Sequence, residues 1–416
     1  MKSVKSYRYF DVNPNQNESY RVEWFLILLG FTIAACAGIF MRYALATGDW
    51  HGLKFGYVRH AHSHLMLFAW ATTGWMILLA RSFERVGHSV KVFRTIIHFS
   101  IVISFLSFLP FLLWGYTLAQ FGPAKLPISV ILSTAMLFVW YWFASTWFKN
   151  RHKVLSKQGL HLLDVAVYSM VLCTVGAWLR GVFIGLKLTE RVFTDGSVHS
   201  FLAIMTDGWL FVGFLGILAL RDKVSIPKWL IILIVISLPF GFLSNLESAP
   251  FFIRMIGAVF MSIFSIASIV VVWRLKSSMS LFLFFVWMAA FSIRLFYMVP
   301  SLMVFADSMR LRISYLHWIY LAGMSVMLLE IWNEQQFPVM FSVAAVLLVS
   351  GTLPSTGLWA YFAEFFHIAN YRMWVHLFTI VTSTLPPAVI IYYWTRSIIV
   401  SILSDHNESA TASELH

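Results

Sequence analysis

The feature that most constrains the fold is a succession of long apolar runs separated by short polar or charged breaks. A helix that crosses a bilayer needs roughly 20 mostly apolar residues, and the runs reach that length repeatedly. Only 12% of the residues are charged, about half of the ~25% usual in soluble domains. The pattern predicts an all-α polytopic membrane protein with about twelve transmembrane helices, near residues 23–45, 60–80, 95–118, 126–147, 161–184, 199–220, 227–244, 251–273, 279–303, 313–332, 337–352 and 373–399.

Lysine and arginine residues set the expected orientation, because basic loops stay on the cytoplasmic side of a membrane. The connections 81–94 and 149–158 carry four each, whereas 119–125 carries one. Both termini are therefore predicted to be cytoplasmic in a bacterial inner (plasma) membrane. The formal net charge of +12 comes from such loops and does not indicate nucleic acid as a partner. The predicted organisation is a polar N-terminus, one transmembrane domain and a polar tail, over 1–22, 23–400 and 401–416 respectively.

Three histidines alternate at the start of the second predicted span, in the segment Arg59–His64. Imidazoles are costly in hydrocarbon, so polar groups at membrane depth usually mark a functional site. Residues two apart on a helix point about 200° apart, whereas residues four apart share a face. His62 and His64 are therefore expected to face opposite sides, and His60 to share the side of His64. The alternative is that all three are interfacial histidines bound to headgroups or loop carbonyls.

Histidines recur near the starts of three predicted spans that are four apart in the chain. His62 and His64 open the second span, His199 opens the sixth, and His317 lies near the start of the tenth. The sequence HSHL of the second span is echoed by HSFL in the sixth. A repeat of three four-helix arcs would bring these spans to equivalent inner positions and place the histidines near the outer face.

These residues resemble subunit I of the haem-copper oxidase superfamily, most closely its nitric oxide reductase and C-type cytochrome oxidase branch. That family has an Arg three positions before the His that binds the low-spin haem, as Arg59 precedes His62 here. Its tenth span carries His-x-His, of which this chain keeps the second as His317 and has Tyr315 as the first. His199 falls where the family's sixth span supplies its first copper ligand.

The resemblance implies a low-spin haem b with His62 and His317 as axial ligands. It also has a clear limit, because the family has a His pair for copper on its seventh span and 227–244 contains no His. The chain is therefore interpreted as a divergent member that lacks the full haem–copper centre. Copper is the second metal considered, at a site shared by His64 and His199, although His199 is equally explained as a loop residue that caps its span.

Charged and hydroxyl groups near these histidines complete the predicted site. Haem propionates need cationic partners, and Arg suits carboxylates, so Arg59 and Arg312 are predicted partners and Tyr315 a further cofactor-binding residue. Snorkelling to lipid phosphate accounts for the same arginines, and for Arg372.

Asp207 lies two turns inside the sixth span. An acid at that depth either relays protons or pairs with a cation. The proton relay and an ion pair with Arg254 or Arg294 are both open.

A second outer metal site is also conceivable, from Glu364 and His367 at helical spacing with His376 downstream. An amphipathic surface helix explains the first two as well.

The resulting hypothesis is a haem b-binding, haem-copper-oxidase-like membrane protein that transfers electrons or handles NO or O2, rather than a complete terminal oxidase. A quinol or cytochrome donor and other respiratory-chain subunits are its expected partners besides the lipid bilayer. Two alternatives remain: a copper- or metal-handling membrane protein, since imidazole also suits copper, and a cofactor-free structural subunit of a respiratory complex.

Overall fold

The structure, a computed structural model, describes residues 20–84, 90–153, 159–188, 190–332, 337–365, 367 and 370–413. Most of the predicted N-terminal segment and the end of the predicted tail lie outside these residues. The α-helices in the described part are α1 (Arg21–Thr47), α2 (Phe55–Leu65), α3 (Gly74–Glu84), α4 (Lys91–Trp114), α5 (Ile128–Asn150), α6 (Leu160–Gly185), α7 (Arg191–Ala203), α8 (Gly213–Arg221), α9 (Lys228–Ser237), α10 (Phe251–Arg274), α11 (Leu281–Leu295), α12 (Pro300–Ser308), α13 (Arg312–His317), α14 (Val326–Trp332), α15 (Phe337–Thr352), α16 (Gly357–Phe365) and α17 (Tyr371–Ser413).

Three segments of π-helix join pairs of these α-helices into continuous rods. They are π1 (Met66–Thr73) between α2 and α3, π2 (Ile204–Val212) between α7 and α8, and π3 (Trp318–Ser325) between α13 and α14. Short 3-10 turns and one antiparallel hairpin complete the described elements, at Arg151–Lys153, Gly241–Asn245, Lys276–Ser278, Phe296–Met298, Leu353–Ser355, β1 (Ala119–Phe121) and β2 (Ala124–Leu126).

Ten helical stretches in the described residues are long and apolar enough to cross a membrane, so the chain is an all-α, multi-pass membrane protein whose apolar helices contact lipid. They are α1, α2–π1–α3, α4, α5, α6, α7–π2–α8, α10, α11, α13–π3–α14 and α17. The seventh and eleventh predicted spans correspond to the shorter apolar helices α9 and α15.

Prolines account for two differences from the predicted spans. The α-helix of the seventh span ends at Ser237, because Pro239 has no backbone N–H to continue the helical hydrogen bonding beyond Leu238. The ninth predicted span divides at Val299, and Pro300 begins α12 in the first-turn position that proline favours.

Helix α17 continues through Ser413, past the boundary at residue 400 predicted for the transmembrane domain. Its membrane-spanning stretch is Met373–Arg396.

The three π-containing rods are the most buried of the ten. Buried residues make up 78%, 78% and 61% of the apolar, membrane-spanning part of these rods, compared with 28–56% in the other seven stretches. They touch one another: the Trp75 and Trp209 rings lie 4.2 Å apart, and the Trp70 indole donates to Ser325 Oγ at 2.7 Å. Glycines permit the close approach, since a Cβ at Gly213 would lie 2.5 Å from the Trp75 ring.

The remaining helices surround these rods in chain order. Helix α4 packs on both α2 and α5, α6 packs on α5 and on the α7–π2–α8 rod, α10 packs on α9 and α11, and α15 packs on π3 and α17. The last helix, α17, packs along the first, α1. The described helices therefore form a closed bundle around the three rods.

Candidate functional site

His62 projects from α2 onto the neighbouring helix α1. Its Nδ1 lies 2.7 Å from the backbone oxygen of Ala34. A carbonyl only accepts, so Nδ1 carries the proton and the lone pair is on Nε2. The ring also lies against Gly38, where an added Cβ would be 3.3 Å from His62 Cε1. Metal-binding histidines are commonly oriented in this way, by donation of the second ring nitrogen to a carbonyl.

His317, on the tenth predicted span, has the same tautomer. Its Nδ1 lies 2.8 Å from the backbone oxygen of Ile313, one turn earlier, so its lone pair is again on Nε2. The ring is close enough to His62 to interact with it electrostatically. Trp70 and Ser325, which are hydrogen-bonded to each other, lie eight residues after His62 and His317 respectively, so the two imidazoles occupy corresponding levels of two contacting rods. Neither Nε2 has a hydrogen-bond partner among the described residues.

A third group, Arg42 of α1, lies beside this pair. Its guanidinium interacts electrostatically with His62, with His317 and with His376 of α17. Neither Arg42 nor His376 belonged to the predicted haem site. The available signal was the spacing of Ala34, Gly38 and Arg42, which are four residues apart and share one face of α1.

His64 faces the opposite side, as the helical geometry predicted, and its surroundings differ. Its Nδ1 lies 2.8 Å from the backbone oxygen of His60, and its Nε2 lies 3.0 Å from the Tyr116 hydroxyl. Its ring stacks on Phe111 with centroids 3.9 Å apart. Burial of the hydroxyl raises the pKa of Tyr116 to about 12, although the residue as a whole is 47% exposed, so the phenol keeps its proton and donates to His64. A metal ion at His64 would have to displace one of these two hydrogen bonds.

His199 contacts an arginine rather than another histidine in the described contacts. Arg312 Nη1 donates to His199 Nε2 at 3.1 Å and Arg312 Nη2 donates to the Asn245 backbone oxygen at 2.9 Å. Arg312 also lies 3.8 Å from Asp307 and 3.6 Å from Glu247. Within the described residues, no three His, Cys, Asp or Glu side chains converge on one metal position. The copper site shared by His64 and His199 stays a prediction without a contact to support it.

Asp207 and Tyr315 meet at a buried arginine. Arg294 donates from Nη1 and Nη2 to the two Asp207 oxygens, both at 2.8 Å, and its Nε lies 2.5 Å from the Tyr315 hydroxyl. The ion pair considered for Asp207 is therefore present, with Arg294 as the partner. Arg254, the other cation considered, pairs with Asp307. The hydroxyl of Tyr315 is thus engaged within the bundle.

The other predicted groups have surroundings of their own. Arg59 is exposed, with its guanidinium over the Phe55 ring at 5.5 Å. Helix α16 ends at Phe365, and His367 has a φ of +52°, so Glu364 and His367 do not share a helical face. The side chain of Arg372 lies outside the described residues.

No protein-family model matches the chain, and no curated protein matches it. The site therefore rests on the geometry of these residues and on the class of protein that the fold defines, a multi-pass helical membrane protein.

Proposed function

We propose that this protein is a membrane cytochrome of haem-copper-oxidase-like architecture that holds one low-spin haem b between His62 and His317. The observation that carries the proposal is the pair of imidazoles at corresponding levels of two contacting inner rods, both with Nδ1 donating to a carbonyl and with no Nε2 partner among the described residues. This tautomer is the one that an axial haem ligand needs.

The surroundings of the pair also suit a largely apolar cofactor. Gly38 lets α1 pack against Cε1 and Nδ1 of His62, so the ring is held from its Nδ1 side, and the inner rods supply buried apolar residues. The haem, when bound, supplies one-electron transfer or a site for a gas ligand, whereas the protein fixes the axial nitrogens and excludes water. Transfer of electrons from a quinol or cytochrome, and handling of NO or O2, belong to this proposal.

The three π-segments support the architectural part of the proposal. π-Helix is rare and is concentrated at functional sites, yet each predicted inner span carries eight or nine residues of it just after its histidine. Together with the order of helix packing, this supports three four-helix arcs, each with its second helix inside. In that arrangement both termini lie in the cytoplasm of a bacterial cell and the histidines lie near the outer face.

The test is the optical spectrum of the detergent-purified chain. The expected result is one haem b per chain, with Soret and α bands of b type in the reduced-minus-oxidised spectrum. His62→Ala and His317→Ala are each expected to lose the six-coordinate spectrum. His62→Gly offers rescue, because added imidazole occupies the vacated position and should restore it.

His64→Ala is the matched control, since it removes an imidazole two residues away in the same helix. Unchanged haem content in both the His62→Ala and the His317→Ala protein would overturn the proposal. A wild-type chain without haem but with stoichiometric copper would indicate a metal-handling protein, and one with neither would indicate a structural subunit of a respiratory complex.

A further inference from the structure

We infer that Arg42 is the cationic anchor for the carboxylate end of the ligand held between His62 and His317, with His376 as a second donor. In the haem proposed above, that end is the propionate pair. The inference rests on the proposed function, and it assigns to α1 and α17 a role that the histidine motifs did not indicate.

The first argument is the position of Arg42 on α1. Ala34 accepts from the His62 ring and Gly38 touches its Cε1, so these residues mark the face of α1 against the imidazole. Arg42 follows Gly38 by four residues and lies on that face, about 6 Å further along the axis. A guanidinium there would lie beside the edge of a ligand coordinated by His62.

The second argument is that Arg42 has no acidic partner within the described residues. Three other buried or half-buried arginines of the bundle are engaged: Arg294 with Asp207, Arg254 with Asp307, and Arg312 with His199 and the loop after α9. Arg42 is partly buried, and among the described residues no charged or hydrogen-bonding side chain acts on its guanidinium. A cation at membrane depth is stable only with a counter-ion or access to headgroups, so Arg42 has its charge free for an anionic ligand.

The third argument comes from the neighbouring helix. Helix α17 packs along α1, and His376 lies on its first turns, close enough to Arg42 to interact electrostatically. The Nδ1 atom of His376 is buried and has no hydrogen-bond partner among the residues that the structure describes. A buried polar atom without a partner is unusual and calls for a missing ligand or water. A carboxylate at Arg42 would supply that partner.

The predicted propionate partners are less suitable. Arg59 is exposed and lies over Phe55, whereas Arg312 already contacts Asp307 and Glu247. Arg42 is the arginine that interacts with both proposed ligands.

The test compares haem with its dimethyl ester, in which both propionates are methyl esters and carry no charge. Haem-free protein, prepared under haem limitation, is titrated with each. The wild-type chain is expected to bind haem about tenfold more tightly than the ester, the scale of one charge-assisted contact. Arg42→Gln should remove that preference by weakening haem binding while leaving ester binding unchanged. Arg42→Lys should keep part of it, and Arg59→Gln should keep all of it.

A redox titration gives a second readout. Loss of the positive charge beside the propionates favours the oxidised haem, so Arg42→Gln should lower the reduced-to-oxidised ratio at a fixed potential about tenfold, equivalent to ~59 mV for a one-electron couple. His376→Ala should shift it in the same direction by less.

The outcomes separate the inference from the proposed function. Equal wild-type affinity for haem and ester, or an unchanged preference and potential in Arg42→Gln, overturns the anchor and assigns Arg42 to lipid phosphate. A wild-type chain that binds neither compound overturns the haem proposal itself. If Arg42→Gln binds neither compound, the Arg42→Lys protein decides. A retained preference for haem over the ester in Arg42→Lys supports the anchor, whereas loss of that preference or of all binding overturns it.

Discussion

His62 and His64 are two residues apart on one helix, yet they lie in opposite kinds of surroundings. Within the described part of the chain, His62 uses one nitrogen to contact α1 and has no partner for the other, and the nearby Arg42 has no acidic partner. His64 has both nitrogens engaged and a ring stacked on Phe111. The side chains of Asp207, Arg294 and Tyr315 are likewise hydrogen-bonded to one another inside the bundle. Incomplete hydrogen bonding thus distinguishes the proposed ligand position at His62 from polar groups that stabilise the bundle.

The largest effect on stability is expected from removing one charge of the buried Asp207–Arg294 ion pair. Asp207→Asn removes the negative charge and leaves Arg294 buried without a counter-ion, so the free energy of unfolding should fall by about 3–5 kcal/mol, as measured by SDS titration in mixed micelles. The haem spectrum should not change.

Asp222→Asn is the matched control for that variant, because Asp222 pairs with the adjacent Arg221 near the helix end and its loss should cost no more than about 1 kcal/mol. A stable Asp207→Asn protein that has lost proton-coupled turnover would instead assign the carboxylate to a proton relay.

His64→Ala is expected to destabilise the bundle and to spare the cofactor. It removes the hydrogen bonds to the Tyr116 hydroxyl and the His60 carbonyl together with the stacking on Phe111, and we expect a loss of about 1–3 kcal/mol in the free energy of unfolding. Haem content, measured as the pyridine haemochrome, should equal that of the wild type. A folded His64→Ala protein without haem would place His64 among the ligands.

Gly38→Ala tests whether the close contact between α1 and the His62 ring holds that ring in position for the proposed ligand. The new Cβ would lie 3.3 Å from His62 Cε1, tight enough to displace the ring by a few tenths of an ångström, and we expect about tenfold weaker haem binding, or about 1.4 kcal/mol. Gly181→Ala is its control, since a Cβ there meets no atom within 4 Å. Equal haem affinity in the two variants would show that the His62 ring does not need this face.

The smallest effect is predicted for Tyr116→Phe. The variant keeps the aromatic ring and removes the hydroxyl that donates to His64, so the free energy of unfolding should fall by about 1 kcal/mol. The Soret and α bands should stay where they are, and a shift in either band contradicts the separation of the two neighbourhoods.

Much of the fold could be predicted from the sequence because apolar run length is a direct signal of membrane helices. Ten of the twelve predicted spans appear as helices of spanning length, and the divergence of His62 from His64 followed from helical geometry alone. The shortened seventh span was predictable in part, since Pro239 and Gly241 both oppose a continuous helix.

Other features depend on partners that a single sequence does not reveal. The role of Arg42 depends on which helix faces α1, and the partner of Asp207 was undecided until Arg294 and Arg254 could be located. The π-segments have no comparable sequence signal. Two of them contain a hydroxyl bonded five residues back, from Thr73 to Phe68 and from Ser325 to Tyr320, both at 2.7 Å, but Thr and Ser make local bonds in ordinary helices too.

The π-segments also make each rod sensitive to its residue count. An α-helix advances by 100° per residue, so deletion of one residue from π1, with the winding of the rest of the rod unchanged, would rotate His62 by roughly 100° relative to α3. The imidazole would then leave the face of α1 although no contacting side chain had been altered. The direction in which each inner histidine points thus depends on the number of residues in the π-segment that follows it. A family of chains with this architecture should tolerate substitutions in that segment far better than single-residue insertions or deletions.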